Sequence, residues 1–201
     1  MTFVIATGNE KKLMEMRTLL ESAGVAVQSE GDVGFTDEIE ETGSSFYENA
    51  YLKASAVCKF SGLPSIADDS GLAVDALGGA PGLYSHRYGG GGLGDRELCA
   101  LLVRNMEGIR QRGAKFVSAI VCVFPNGDVV SAEGECRGEI LDSPRGEGGF
   151  GYDPIFLPLG GDKTLAELSQ EEKNVLSHRG IAIRRFQTKL EEYLAGRAGA
   201  K

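Results

Sequence analysis

Phe3-Val4-Ile5-Ala6-Thr7-Gly8-Asn9 holds a buried strand and its exit within one short segment. Phe3 to Ala6 is an apolar run too short for a helix, and Thr7-Gly8-Asn9 is turn chemistry that stops it. A helix then begins at about Glu10. Leu13, Met16, Leu19 and Leu20 fall on one face of it, and Gly24 marks its end. Val25-Ala26-Val27 restarts a strand. Strand, helix and strand in that order predict a parallel pair in an α/β fold.

Outward from this opening, Pro64 to Val74 reads as a second buried strand. Its apolar residues Ile66, Ala67, Leu72, Ala73 and Val74 are broken at Asp68-Asp69-Ser70-Gly71, where turn residues predict an interruption. Two adjacent carboxylates at the mouth of a core repel, and burial costs both. A divalent cation would offset both costs, with carboxylate oxygens as its preferred ligands. The alternative is an Asx-type turn whose side chains cap their own backbone.

Between these strands, Ser44 or Ser45 caps a helix carrying Phe46, Ala50, Ala54 and Val57 on one face and ending near Gly62. Later elements are a helix from Asp95 to about Met106 and β runs at Phe116–Phe124 and Val129–Ile140. Pro125-Asn126-Gly127-Asp128 joins those runs, and Asn-Gly between apolar segments signals a hairpin. A short helix is expected at about Leu165–Glu172, and a last helix from Ser177 to about Leu194. The tail from Gly196 to Lys201 is small and polar and is expected to fray.

The 201 residues predict a single domain, 1–201, with a core large enough to need no staples. Twenty-one basic against twenty-nine acidic residues give a net charge of −8. Nucleic-acid and anionic-membrane binding need a basic footprint, so both are excluded as expectations. Cys58, Cys99, Cys122 and Cys136 contain no C-x-x-C pair and read as packed thiols in a reducing compartment. His86 and His178 are the only histidines, too few for a zinc site with those cysteines. The N-terminus lacks the pattern of a signal peptide, and no apolar run reaches the roughly 18–20 residues of a membrane span. The expected location is the cytoplasm.

Four segments carry chemistry. Thr7-Gly8-Asn9-Glu10-Lys11-Lys12 joins a strand end to a helix start, where free N–H groups and the helix dipole favour an anion and Lys12 adds a cation. It is not a Walker loop, and a plain helix cap at Asn9 is the alternative. Gly148-Gly149-Phe150-Gly151-Tyr152-Asp153-Pro154 offers two aromatic faces and a carboxylate to a heterocycle, or folds over the core with the aromatics as plugs. Ser177-His178-Arg179 places cations in a first helical turn, against the dipole, which points their donors at a ligand unless both side chains face solvent. Arg87, beside His86, could meet phosphate or form a surface salt bridge.

Together the chain closely resembles the inosine triphosphate pyrophosphatase family, the Ham1/RdgB-like non-canonical purine nucleoside triphosphate pyrophosphatases. The matching pieces are Thr7-Gly8-Asn9-x-x-Lys12, Glu40-Glu41-Thr42-Gly43, Phe46-x-Glu48-Asn49-Ala50-x-x-Lys53-Ala54 and Ala67-Asp68-Asp69-Ser70-Gly71-Leu72. Gly78-Gly79-Ala80-Pro81-Gly82, Gly149-Phe150-Gly151-Tyr152-Asp153-Pro154 and Ser177-His178-Arg179 complete the set.

The resemblance implies an elongated, two-lobed mixed α/β sheet flanked by helices, with the nucleotide in the cleft between lobes. It also implies a homodimer, Mg²⁺ dependence, and cleavage of ITP, dITP or XTP to the monophosphate and pyrophosphate. Carried over by position, Thr7, Gly8, Asn9, Glu10, Lys11, Lys12 and Lys53 should hold the triphosphate. Glu40 and Asp69 should hold the metal, with Glu41 the alternative to Glu40. Asp69 should also be the general base, with Asp68 beside it in the catalytic pair. Ser70 and Arg87 join the substrate contacts, and Phe150, Gly151, Tyr152, Asp153, Lys173, His178 and Arg179 should surround the purine. Gly89-Gly90-Gly91-Gly92 departs from the family, where this loop carries more polar side chains. Two other readings stand beside this one: a nucleotide-binding sensor without turnover, and a Mg²⁺-dependent phosphomonoesterase.

Overall fold

β1 (Thr2–Ile5) leads into α1 (Glu10–Ser22), and β2 (Ala26–Ser29) returns parallel to β1, with Thr2 opposite Ala26 and Ile5 opposite Ser29. The strand–helix–strand reading of the opening segment is therefore what folds. A computed structural model describes residues 1–198. α2 (Phe46–Ser61), β3 (Ser65–Val74), α3 (Asp95–Asn105), β4 (Gly113–Val123) and β5 (Val129–Ile140) follow. β6 (Phe156–Pro158), α4 (Gln170–Leu176) and α5 (His178–Ala198) complete the chain. The strands form one six-stranded mixed sheet in the order β2-β1-β3-β4-β5-β6, with β1 parallel to β3 and β6 antiparallel to β5.

The chain divides into two compact units. The first takes in residues 1–69, Ser118–Gly134 and the described chain from Ile181 onward. Strand alternation sorts its apolar residues into two clusters. Phe3, Ile5, Ile66, Ile120 and Cys122 pack with Met16 and Leu20 of α1 and with Ala182, Phe186 and Leu190 of α5. The intervening residues Val4, Ala6, Ala67, Val121 and Val123 pack instead with Ala50, Ala54 and Val57 of α2. Each fully buried Leu, Ile or Phe contributes about 1.5–3 kcal/mol. The second unit, Ser70–Val117 and Glu135–Gly180, has its own core of Leu72, Val74, Leu98, Leu102, Phe116, Ile140 and Phe156.

Three local expectations are corrected. No turn interrupts Asp68-Asp69-Ser70-Gly71, because β3 runs unbroken from Ser65 to Val74. Alternation sends Asp68 to the face of Ile66 and Asp69 to the face of Ala67, so the adjacent carboxylates diverge and each meets its own partners. The short helix begins at Gln170 rather than Leu165: Ser169 and Glu172 form a capping box, each side chain bonding the other's backbone N–H. The last helix passes Leu194 and reaches Ala198. Its final turns are pinned by Tyr193, whose hydroxyl donates to Asp128 Oδ2 at 2.7 Å, and by Arg197, 3.4 Å from the same oxygen. Residues 196–198 continue this helix, and the rest of that tail lies outside the described residues.

In the glycine loop, Gly89, Gly90, Gly91 and Gly92 all take φ between 78° and 102°, a run that side-chain-bearing residues resist. The departure from polar residues there is a backbone requirement. Among the described residues, no helix is long and apolar enough to cross a membrane.

All four cysteines are free and buried. Burial pushes the Cys99 thiol up to about 12 and that of Cys136 to about 11, and raises Cys58 and Cys122 as well. At pH 8 a thiol at 11 is about 0.1% thiolate, against roughly a quarter for an ordinary one. The native protein should therefore react with a disulfide reagent at least about 100-fold more slowly than the urea-unfolded chain, which should release four equivalents. One fast thiol in the native protein would contradict the packing described.

Candidate active site

In the first unit, Asp68 is fully buried on the α1 face. The Ser118 hydroxyl of β4 donates to its Oδ1, and Lys12 Nζ of α1 lies 3.2 Å from its Oδ2. Both oxygens are thus engaged by the protein, and Asp68 is built to orient Lys12. The Thr7–Lys12 turn folds as a helix start. Asn9 Oδ1 accepts the Lys12 N–H at 3.1 Å, and the Asn9 N–H donates to Thr7 Oγ1. Gly8 and Glu10 are exposed at this helix entrance, as is Lys11.

Asp69, 6% exposed, faces α2. Lys53 Nζ donates to its Oδ1 at 3.1 Å and to Glu41 Oε1 at 2.7 Å. Asn49 Nδ2 donates to Asp69 Oδ2 at 3.2 Å. α2 can make these contacts because Ser45, accepting the Glu48 N–H, starts it so that Asn49 and Lys53 share one face, one turn apart. Burial raises the Asp69 carboxyl above its ordinary value, with Lys53 and Lys12 offsetting only part of the cost. Burial alone would lower the Lys53 ammonium, but Asp69 and Glu41 together reverse it, and its pKa is raised. Lys53 stays charged, and Asp69 becomes a better proton acceptor than a solvated carboxylate.

Of the two adjacent acids, Glu41 reaches this cluster while Glu40 is exposed and gives its carbonyl to the Thr42 N–H. Among the described residues no three His, Cys, Asp or Glu side chains converge as a metal cluster. Instead, the Lys53 ammonium sits between the Glu41 and Asp69 carboxylates. Two carboxylates already sharing one cation are the hard-oxygen donor set that Mg²⁺ takes, so this pair fits that ion.

In the second unit, Lys173 Nζ and Arg179 flank the Phe150 ring, 4.9 and 5.5 Å from its centroid. Asp153 Oδ2 accepts the Phe150 N–H at 2.9 Å and Lys173 Nζ at 2.8 Å, locking the glycine-rich loop to α4. Gly149 and Gly151 take positive φ around Phe150. Arg179, 2% exposed, donates from Nη2 to Ser70 Oγ at 3.1 Å. His178 is buried and stacks on Phe116, with centroids 4.6 Å apart and rings 9° from parallel. Tyr152 is a core residue, 3% exposed, whose hydroxyl donates to the Ser85 carbonyl. Arg87 is exposed, its guanidinium over the Tyr84 ring at 5.2 Å.

Asn49 and Ser118 hold the two aspartates but were absent from the sequence-derived site. Asn49 carried a readable signal, a polar residue on the buried face of α2 one turn before Lys53. Ser118 carried none, because its partner is 50 residues away on another strand.

The Ham1 family profile matches residues 3–189. A dITP/XTP pyrophosphatase of Synechocystis is 51% identical over 186 residues, covering 92% of this chain and 93% of that relative. A dITP/XTP pyrophosphatase of Bacillus licheniformis is 45% identical over 191 residues, covering 94% and 97%. Among solved structures, the Ham1 protein of Staphylococcus aureus matches with a TM-score of 0.86 at 39% identity, over 96% of this chain and all of that one. A HAM1 protein from Coxiella burnetii matches with a TM-score of 0.87 at 40% identity, over 96% and 99%.

The Lys173–Asp153 pair yields a stability prediction, since both side chains are about 95% buried. Lys173→Met would keep packing but strand a buried carboxylate, which costs about 3–5 kcal/mol. Urea unfolding should show that loss, and adding Asp153→Asn should recover at least about half of it. A single variant within about 0.5 kcal/mol of wild type would show that the pair does not anchor the loop.

Proposed function

The chain belongs to the Ham1 family, and from that premise we propose that it hydrolyses non-canonical purine nucleoside triphosphates (ITP, dITP and XTP) to the monophosphate and pyrophosphate. The observation that carries the chemistry is Asp69: a buried carboxylate held on one oxygen by Asn49 and on the other by Lys53, with Glu41 on the far side of that ammonium. Relatives of 45–51% identity over more than nine-tenths of the chain, named dITP/XTP pyrophosphatases, support the same reading.

In this reading the N–H groups of Thr7, Gly8, Glu10 and Lys11 at the start of α1 bind phosphate oxygens, Asn9 caps the helix that presents them, and Lys12, oriented by Asp68, neutralises their charge. Lys53 supplies a second cation, so a protein of net charge −8 still presents positive charge to a polyanion. Asp69 takes the proton from the water that attacks the α-phosphorus, and the α–β anhydride bond breaks to release pyrophosphate. Glu41 and Asp69 would hold Mg²⁺, with the adjacent Glu40 as the alternative acid. When bound, Mg²⁺ supplies positive charge against the polyphosphate and polarises the phosphoryl group. Phe150 takes the purine face. Lys173, His178 and Arg179 supply donors suited to the 6-keto oxygen of hypoxanthine or xanthine, whereas the 6-amino group of adenine would leave those donors unmatched. The proposal includes a cytoplasmic homodimer that binds neither nucleic acid nor membrane.

Product identification tests the reading. ITP with Mg²⁺ should yield IMP and pyrophosphate, with orthophosphate appearing only after inorganic pyrophosphatase is added. Direct orthophosphate release with IDP would identify a phosphatase instead, and binding without any product would identify a sensor.

Asp69→Asn keeps the side chain's shape but removes its charge and its capacity as a base. Its kcat for ITP should fall at least about 100-fold, the lower range for loss of a general base. Turnover within about threefold of wild type would reduce Asp69 to a structural strand residue.

A further inference from the structure

We infer that Asn49 is a positioning residue that fixes the orientation of the Asp69 carboxylate and its distance from the Glu41 segment. The inference rests on the proposed pyrophosphatase reading. Asn49 is 1% exposed, and both ends of its amide are used. Nδ2 donates to Asp69 Oδ2 at 3.2 Å, while Oδ1 accepts the Gly43 N–H at 2.8 Å. Lys53, one turn later on the same helix, takes the other Asp69 oxygen. Each carboxylate oxygen therefore has its own donor from α2, and rotation of the carboxylate would break both bonds.

Gly43 closes the acidic segment that carries Glu41. The Asn49 amide thus joins that segment to the catalytic strand, and one side chain sets both carboxylates. The approach is tight enough to demand glycine. A Cβ at Gly43 would stand 2.6 Å from Asn49 Oδ1, 2.7 Å from Glu48 Cβ and 2.9 Å from the Asn49 nitrogen. The helix start does not need Asn49. Ser45 already caps it, and Glu48 Oε2 accepts the Ser44 N–H at 2.7 Å. An asparagine inside a helix is mildly unfavourable, by up to about 0.7 kcal/mol relative to alanine. Its presence at a buried position is accounted for by the contact with Asp69.

The test is steady-state kinetics with ITP and Mg²⁺ on wild type, Asn49→Asp and Gly43→Ala, with thermal unfolding measured on each. Asn49→Asp keeps an oxygen for the Gly43 N–H but replaces the donor to Asp69 with a second anion. If Asn49 only pinned the loop, this variant would retain wild-type kcat. As a positioning residue, its change should lower kcat at least about 30-fold while KM stays within about threefold, because Lys12 and the Phe150 cage are untouched. Gly43→Ala displaces the same amide from the other side and should give the same kcat-selective loss. It decides the matter if Asn49→Asp does not fold.

A kcat within threefold of wild type in the folded variants, or a KM that rises in step with the fall in kcat, overturns the inference alone. A wild-type chain that releases no pyrophosphate overturns the functional proposal, and the inference with it.

Discussion

Burying two neighbouring carboxylates in the middle of a strand is the constraint around which the first unit is arranged. Removed from water without partners, each would cost several kcal/mol. Strand alternation separates them, and the protein then supplies each with its own cation from its own helix: Lys12 of α1 for Asp68, Lys53 of α2 for Asp69. The neutral donors Ser118 and Asn49 complete the two sets. Without α1 and α2 at those positions, neither buried carboxylate would have a cation beside it. The same helices seat the two apolar clusters of the unit, so packing and charge compensation are met by one arrangement.

The two carboxylates end up doing different work for a physical reason. Asp68 has both oxygens occupied within a fully buried site, so its charge serves to hold a lysine in place. Asp69 retains slight exposure and shares its lysine with Glu41, so that one ammonium sits between two acids. In the second unit, the buried Lys173–Asp153 pair plays the corresponding supporting part, tying the Phe150 loop to the helix beside it.

Much of this was legible in the chain itself, wherever the signal was local. The parallel opening, the Ser45 cap and the β4–β5 runs follow from periodicity and turn residues close in sequence. The strand runs straight through Asp68–Gly71 against local turn propensity because two lysines make a polar strand tolerable, and those lie 16 and 56 residues upstream. The late start of α4 shows the opposite case, since the local capping signal Ser169-x-x-Glu172 sets it against the apolar spacing upstream. Tyr152 could be read either as a base contact or as a plug over the core; burial and its bond to Ser85 place it in the core. Whether Glu40 or Glu41 reaches Asp69 depends on the path of an irregular segment, which residue identity alone does not encode.

The alternation along β3 also makes its length inviolable. Substitutions in this strand act on one face at a time, but inserting or deleting one residue between Ala67 and Leu72 would turn every later side chain to the opposite face. A residue gained before Asp68 would hand its carboxylate to α2 and that of Asp69 to α1, and would swing Leu72 and Val74 out of their core. The strand can vary in composition and still be repaired by neighbours. A frame slip of one residue would have no local repair, because a residue's place in the count along the strand decides which face of the sheet it occupies.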